Sequence, residues 1–122
     1  MTEVTIPLKL PSLNDYVRIC RTNKYQAASF KKGLEEQIGW FLVGLPKFTK
    51  PIRIRFLWME GTKRRDYDNV AFAKKFILDA LVKYGKLPDD NRKYVVGFSD
   101  EFVYGKDTQV TLYIEEVDDV IR

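Results

Sequence analysis

Asp66 and Asp68 stand one residue apart behind three consecutive cations, Lys63, Arg64 and Arg65, in the stretch KRRDYDNVAFAKKFILDAL, residues 63 to 81. In an extended segment, residues two apart point the same way, so a pair in sequence becomes a pair in space. Two carboxylates held that close repel, and a divalent cation between them is the economical remedy. The neighbouring cations could also neutralise them, but that would not require the two side chains to face one way. The competing role is helix capping, in which an Asp satisfies free N–H groups at a helix start and suits its dipole. A cap needs only one carboxylate, however, and Asn69 could supply it alone.

The chain contains no histidine and one cysteine, Cys20. Triads built on imidazole, His-ligated zinc and internal disulfides are thereby excluded, leaving carboxylates, lysine, water or a hard metal as the means of any catalysis. Three known loops resemble the Asp-x-Asp pattern and fail. An EF-hand needs an oxygen ligand and a glycine where Val70 and Ala71 stand. A haloacid-dehalogenase nucleophile needs an apolar strand where Thr62 to Arg65 stand, and no glycine-rich GK[ST] phosphate loop occurs. What remains is a magnesium site whose carboxylates come from different segments, because Mg²⁺ takes oxygen ligands and keeps several waters. Asp89 and Asp90, in a polar loop, offer a third ligand or an ordinary turn. Lys75 follows Asp68 by seven residues, about two helical turns, and is either part of the same site or a solvated surface lysine.

The elements that must position these groups follow from periodicity. Val4, Ile6, Leu8 and Leu10 alternate, so residues 2 to 10 read as a strand, and Pro7 places it at a sheet edge. PSLNDYVRICRTNKY reads as a long irregular arm. Residues 26 to 43 carry helical spacing at Phe30, Leu34, Ile38, Phe41 and Leu42, ending at Gly44 and Pro46. Ile52, Ile54, Phe56 and Trp58 alternate with Arg53, Arg55 and Leu57 in a strand with one core face. Ala73, Phe76, Ile77, Ala80, Leu81 and Tyr84 form the core stripe of a second helix that stops at Gly85; Asp68, Phe72, Lys75, Asp79 and Val82 fall on its other face. YVVGFSDEFVY and TQVTLYIEE read as two strands of a hairpin turned by GKD. The prediction is one α+β domain over residues 1–122, a mixed sheet with two helices in the order β-α-β-α-β-β.

The 122 residues carry a net charge of +4 that is unevenly spread. Residues 98 to 122 hold seven acids against Lys106 and Arg122, so the preceding 97 residues carry +9. Such a basic body favours a polyanion, nucleic acid above all, through counterion release; a merely solvated surface is the alternative. No apolar run is long enough to span a membrane, and the first residues lack the features of a secretion signal, so a cytoplasmic protein is expected.

Taken together, Leu10-Pro11-Ser12-Leu13-Asn14, Arg65-Asp66-Tyr67-Asp68-Asn69, Lys75 with Asp79-Ala80-Leu81, and Asp89-Asp90 resemble the RusA-type Holliday junction resolvases, endonucleases common in prophages. The resemblance implies Mg²⁺, or Mn²⁺ in its place, bound by Asp66, Asp68 and Asp90, with Lys75 assisting hydrolysis of a phosphodiester. Counted forward from Asp68, the family's lysine interval of four falls on Phe72; counted back from Asp79 it falls on Lys75, as a three-residue insertion would produce. Lys63, Arg64 and Arg65 are expected to contact DNA backbone, with Asn14, Arg18, Arg21 and Lys24 on the N-terminal arm. The expected partner is a four-way DNA junction in recombination and repair. Symmetric nicking of two strands implies a C₂ homodimer, through Phe72 and Val82 or through Trp40 and Phe41. The alternatives are a binding module without catalysis and a metal-dependent nuclease for other branched DNA.

Overall fold

The computed structural model describes residues 1–118; Asp119, at the end of the acidic tail, lies outside them. Eight elements follow along the chain: β1 (Thr2–Ile6), α1 (Leu13–Thr22), α2 (Lys24–Leu42), β2 (Ile52–Glu60), α3 (Tyr67–Ala71), α4 (Lys74–Lys83), β3 (Val95–Tyr104) and β4 (Gln109–Glu116). The class is α+β, with one sheet in the order β1-β4-β2-β3. β1 occupies an edge, as Pro7 requires, since the strand ends at Ile6 where the next residue has no N–H to give.

The alternating apolar residues of β2 place this strand at the centre. Ile52, Ile54, Phe56 and Trp58 are buried while Arg53 and Arg55 stay exposed. β2 runs parallel to β3 and antiparallel to β4. The expected β3–β4 hairpin is therefore not formed: β2 lies between the two strands, and the Gly105-Lys106-Asp107 segment carries the chain across its end. A turn signal between two apolar runs does not reveal which third strand intervenes.

Two further expectations are corrected. Residues 13–22 form a helix, α1, where an irregular arm was expected. The Ser12 hydroxyl accepts from the Asp15 N–H at 3.2 Å and the Asp15 carboxylate accepts from the Ser12 N–H at 3.1 Å, a reciprocal cap. Asn23 then starts α2, its side-chain oxygen accepting from the N–H groups of Tyr25 and Gln26. The second predicted helix is in turn split into α3 and α4. The N–H groups of Ala73, Lys75 and Phe76 donate to the carbonyls three residues back, which overwinds the chain at the join. The phase counted at 100° per residue from Asp68 to Lys75 does not carry across it.

Both long helices lie on the apolar face of the sheet. Leu34, Ile38 and Leu42 of α2 and Phe76, Ile77, Ala80 and Leu81 of α4 close the core with Val110, Leu112 and Ile114 of β4. Of the expected stripe of α2, Leu34, Ile38 and Leu42 are buried together with Ala27, whereas Phe30 and Phe41 stay partly exposed, as does Tyr84 at the end of α4. Gly85, with φ of 77°, ends α4 and lets the Lys86 N–H reach back to the Leu81 carbonyl at 2.8 Å. Among the described residues, no helix is long and apolar enough to cross a membrane.

Candidate functional site

The aspartate pair sits where β2 delivers the chain to α3. The arrival is fixed by Arg65, whose Nε and Nη2 donate to the two Glu60 carboxylate oxygens at 2.7 and 2.9 Å while Nη1 donates to the Leu10 carbonyl at 2.9 Å. Three segments are thereby tied together: the end of β2, the approach to α1 and the start of α3. This guanidinium, expected to contact DNA backbone, makes three hydrogen bonds within the protein and also borders a surface cleft. Asn14 adds a second tie, its N–H donating to the Asn69 side-chain oxygen at 3.3 Å.

Asp66 has extended backbone and occupies the N-cap position of α3, yet its side chain makes no capping hydrogen bond. Asp68 lies in the first helical turn, not in an extended run, and its Oδ1 accepts from the N–H of Asn69 at 3.0 Å. Both are exposed. Capping thus fails to account for Asp66, and neither aspartate has an ion-pair partner among the described residues.

The two adjacent lysines of α4 diverge, as a rotation of about 100° per residue demands. Lys74 turns toward the sheet, where its Nζ lies 2.5 Å from Asp100 and 4.1 Å above the centre of the Phe98 ring. The Trp58 indole N–H donates to the other Asp100 oxygen at 2.8 Å, so this half-buried carboxylate is satisfied within the fold. Lys75 points outward, 62% exposed, and approaches the Asp79 carboxylate at 3.9 Å. Asp79 is held more closely by Lys31 of α2, at 3.2 Å. That hydrogen bond is the main reason the Lys31 ammonium is pushed above its ordinary pKa.

In the loop after α4 the two aspartates separate by role. Asp89 serves the turn, accepting from the Asp90 N–H at 2.7 Å and from the Asn91 amide at 3.2 Å. The Asp90 carboxyl is held above its ordinary value of 3.8, first by loss of solvent and next by the negative charge of Asp79. Asp79, which sequence reasoning used only as a landmark, is therefore electrostatically linked to both Lys75 and Asp90. Its position four residues after Lys75 was the available signal.

The donor set of Asp66, Asp68 and Asp90 is all oxygen, which suits a hard divalent cation. Among the described residues, no group of three His, Cys, Asp or Glu side chains is gathered closely enough to hold a metal. The structure groups Asp90 with Asp79, and Asp66 with a separate cleft.

That cleft, of about 460 Å³, is bounded by Asp66, Tyr67, Lys63 and Arg65 on one side and by Phe102, Val103 and Tyr104 of β3 on the other. Tyr67 stacks on Phe102 with ring centres 4.1 Å apart and planes inclined by 13°. Lys63 places its ammonium 5.1 Å from the centre of the Tyr104 ring, and Arg64 is exposed beside it. Neither aromatic partner was anticipated, since 35 residues separate Tyr67 from Phe102. On α1, Arg18 is exposed and lies 3.9 Å from Asp15, and Arg21 is exposed as well; Lys24 opens α2 with its ammonium 5.9 Å from the Tyr25 ring.

The family model described as endodeoxyribonuclease RusA matches residues 2–115. A comparison with curated proteins gave no match.

Proposed function

The chain belongs to the RusA endodeoxyribonuclease family, and from that premise we propose that it is a metal-dependent endonuclease resolving four-way DNA junctions by paired phosphodiester hydrolysis. The observation that carries this reading is Asp66, an exposed carboxylate at an N-cap position that caps nothing. In this reading Asp66 and Asp68 hold Mg²⁺, with Mn²⁺ able to replace it, and Asp90 joins them from the loop after α4. When bound, the ion supplies Lewis acidity and a readily deprotonated water, which is why a protein without histidine can hydrolyse a phosphodiester.

The protein's own groups do the rest. Lys75 is the catalytic lysine, because Lys74 is engaged by Asp100 while Lys75 is exposed. Its ammonium stabilises negative charge building on the phosphate oxygens. Asp79 and Lys31 fix the local field in which Lys75 and Asp90 act. Lys63 and Arg64 bind backbone phosphates, as do Arg18, Arg21 and Lys24 along α1 and the start of α2. Asn14 and Arg65 act by position, holding the α3 start in place for the two aspartates.

Two symmetric nicks require two sites, so the working form is a C₂ homodimer in the cytoplasm. Phe72 and Val82 pack against the protein's own core. The 79% exposure of Trp40 on α2, with exposed Phe41 beside it, supports that pair as the contact with the partner.

The test is cleavage of a labelled four-way junction beside linear duplex, with Mg²⁺ or EDTA, by the wild type and Asp68→Asn. Paired junction nicks that need Mg²⁺ and vanish in the variant, with junction binding retained, support the proposal. Binding that ignores Mg²⁺ and never leads to cleavage transfers the protein to the class of non-catalytic binding modules. Mg²⁺-dependent nicking confined to flaps or forks changes the substrate and leaves the site standing.

A further inference from the structure

We propose that the cleft between α3 and β3 is a stacking slot for an unstacked nucleobase of the branched DNA, with the Tyr67 ring as its floor. The inference rests on the nuclease reading for the identity of the DNA, but its physical basis is separate.

Tyr67 lies between Asp66 and Asp68 in the chain and is 66% exposed despite its size. One face of its ring is covered by Phe102 at 4.1 Å in a nearly parallel stack, so its orientation is set before anything binds. The remaining exposure leaves ring surface uncovered at a residue that borders the cleft, whose volume of about 460 Å³ falls within the range of small-ligand sites, roughly 300–1,000 Å³. Tyr104, also 66% exposed, borders the same space two residues beyond Phe102 on the same face of β3.

The charges select the occupant. Lys63 offers a cation at the rim, and exposed Arg64 follows it in the chain; of the two acids that border the cleft, Glu60 is ion-paired by its two bonds to Arg65 and Asp66 has no ion-pair partner among the described residues. An aromatic floor with cationic edges suits a planar base attached to phosphate, the pattern by which single-stranded DNA is held. A base within a duplex has both faces covered by its neighbours; one at a branch point has lost a neighbour and can be extruded at lower cost. The slot would thus read structure without reading sequence. It would also deliver the adjoining phosphate to the neighbourhood of Asp66 and Asp68.

The experiment places 2-aminopurine at the crossover of a four-way junction and, separately, within a short single strand, and follows its emission with protein in EDTA. Wild type and Tyr67→Trp are expected to quench the probe in both DNAs, and Tyr67→Leu to leave it bright. Tyr67→Leu should weaken junction binding about ten-fold, the scale of one base–aromatic stack, while binding to linear duplex stays unchanged. Quenching that persists in folded Tyr67→Leu, or equal weakening on junction and duplex, overturns the slot. Should Tyr67→Leu fail to fold, absence of quenching by both wild type and Tyr67→Trp overturns it, and quenching by both with a blue shift of the new tryptophan's emission supports it. A wild type that cuts junctions with Mg²⁺ yet leaves the probe unchanged removes the slot and keeps the nuclease. One that quenches through Tyr67 but never cuts does the reverse.

Discussion

Arg65 grips Glu60 through two parallel hydrogen bonds, 2.7 and 2.9 Å long, and both side chains are mostly shielded from solvent. A lysine cannot reproduce this fork or reach the Leu10 carbonyl at the same time. Arg65→Lys is expected to lower stability by about 1–2 kcal/mol and Arg65→Ala by about 2–3 kcal/mol, because the Glu60 carboxylate loses its partner. Urea unfolding measures both. Unchanged stability with a salt dependence of DNA binding reduced by about one phosphate contact would make Arg65 a DNA ligand instead.

The divergence of Lys74 and Lys75 predicts opposite phenotypes. Lys74→Met removes the cation beside Asp100 and should cost about 1–2 kcal/mol of stability, moderated by the Trp58 hydrogen bond that remains. Lys75→Ala should leave the unfolding midpoint within about 0.5 kcal/mol and reduce cleavage about 10²-fold or more. Reversal of the two results would identify Lys74 as the lysine that meets the phosphate.

The start of α1 predicts a pH effect. The Ser12 N–H holds the Asp15 carboxyl below its ordinary value, and the charged form is thereby favoured in the folded state. Asp15 therefore contributes stability above that ordinary value, and the contribution disappears as the pH falls through the lowered one. Ser12→Ala should cost about 1 kcal/mol at neutral pH. The gap between wild type and Asp15→Asn in urea midpoints should narrow on acidification; a gap independent of pH would exclude the ionised cap.

Asp90 predicts the opposite sign. Its folded pKa is raised, so the unfolded chain releases this proton more readily and stability falls as the pH climbs through the interval between the two values. In EDTA at neutral pH, Asp90→Asn should melt slightly higher than the wild type, with the advantage fading below about pH 4. Mg²⁺ should raise the melting temperature of the wild type and have a smaller effect on the variant. A destabilised Asp90→Asn in EDTA would show that the carboxylate supports the loop instead.

Legibility followed the range of the interactions. The alternation from Ile52 to Trp58 located the central strand, since burial on one face imposes a period of two. Asp66 and Asp68 were visible because only Tyr67 separates them in the chain. The α1 helix was equally local, and Ser12 with Asp15 three residues later was its unread sign. The break after Ala71 was hidden because the apolar spacing of residues 73 to 84 is unaffected by what precedes it. Pairings such as Arg65 with Leu10, Tyr67 with Phe102 and Lys74 with Asp100 depend on which strands become neighbours, and no local pattern encodes that.

The strand order carries a consequence for synthesis. Within the sheet β1 is hydrogen-bonded to β4 alone, and β4 inserts between it and β2. While the ribosome is still making the region up to Tyr104, the N-terminal strand has no strand to join, and β2 has only its parallel neighbour. Closure therefore waits for residues 109–116 to emerge, and contacts of such long range form slowly. The β1 flank, which leads to Leu10 and its bond with Arg65, therefore joins the sheet only at that late step, well after the stretch that carries Asp66 and Asp68 has been made.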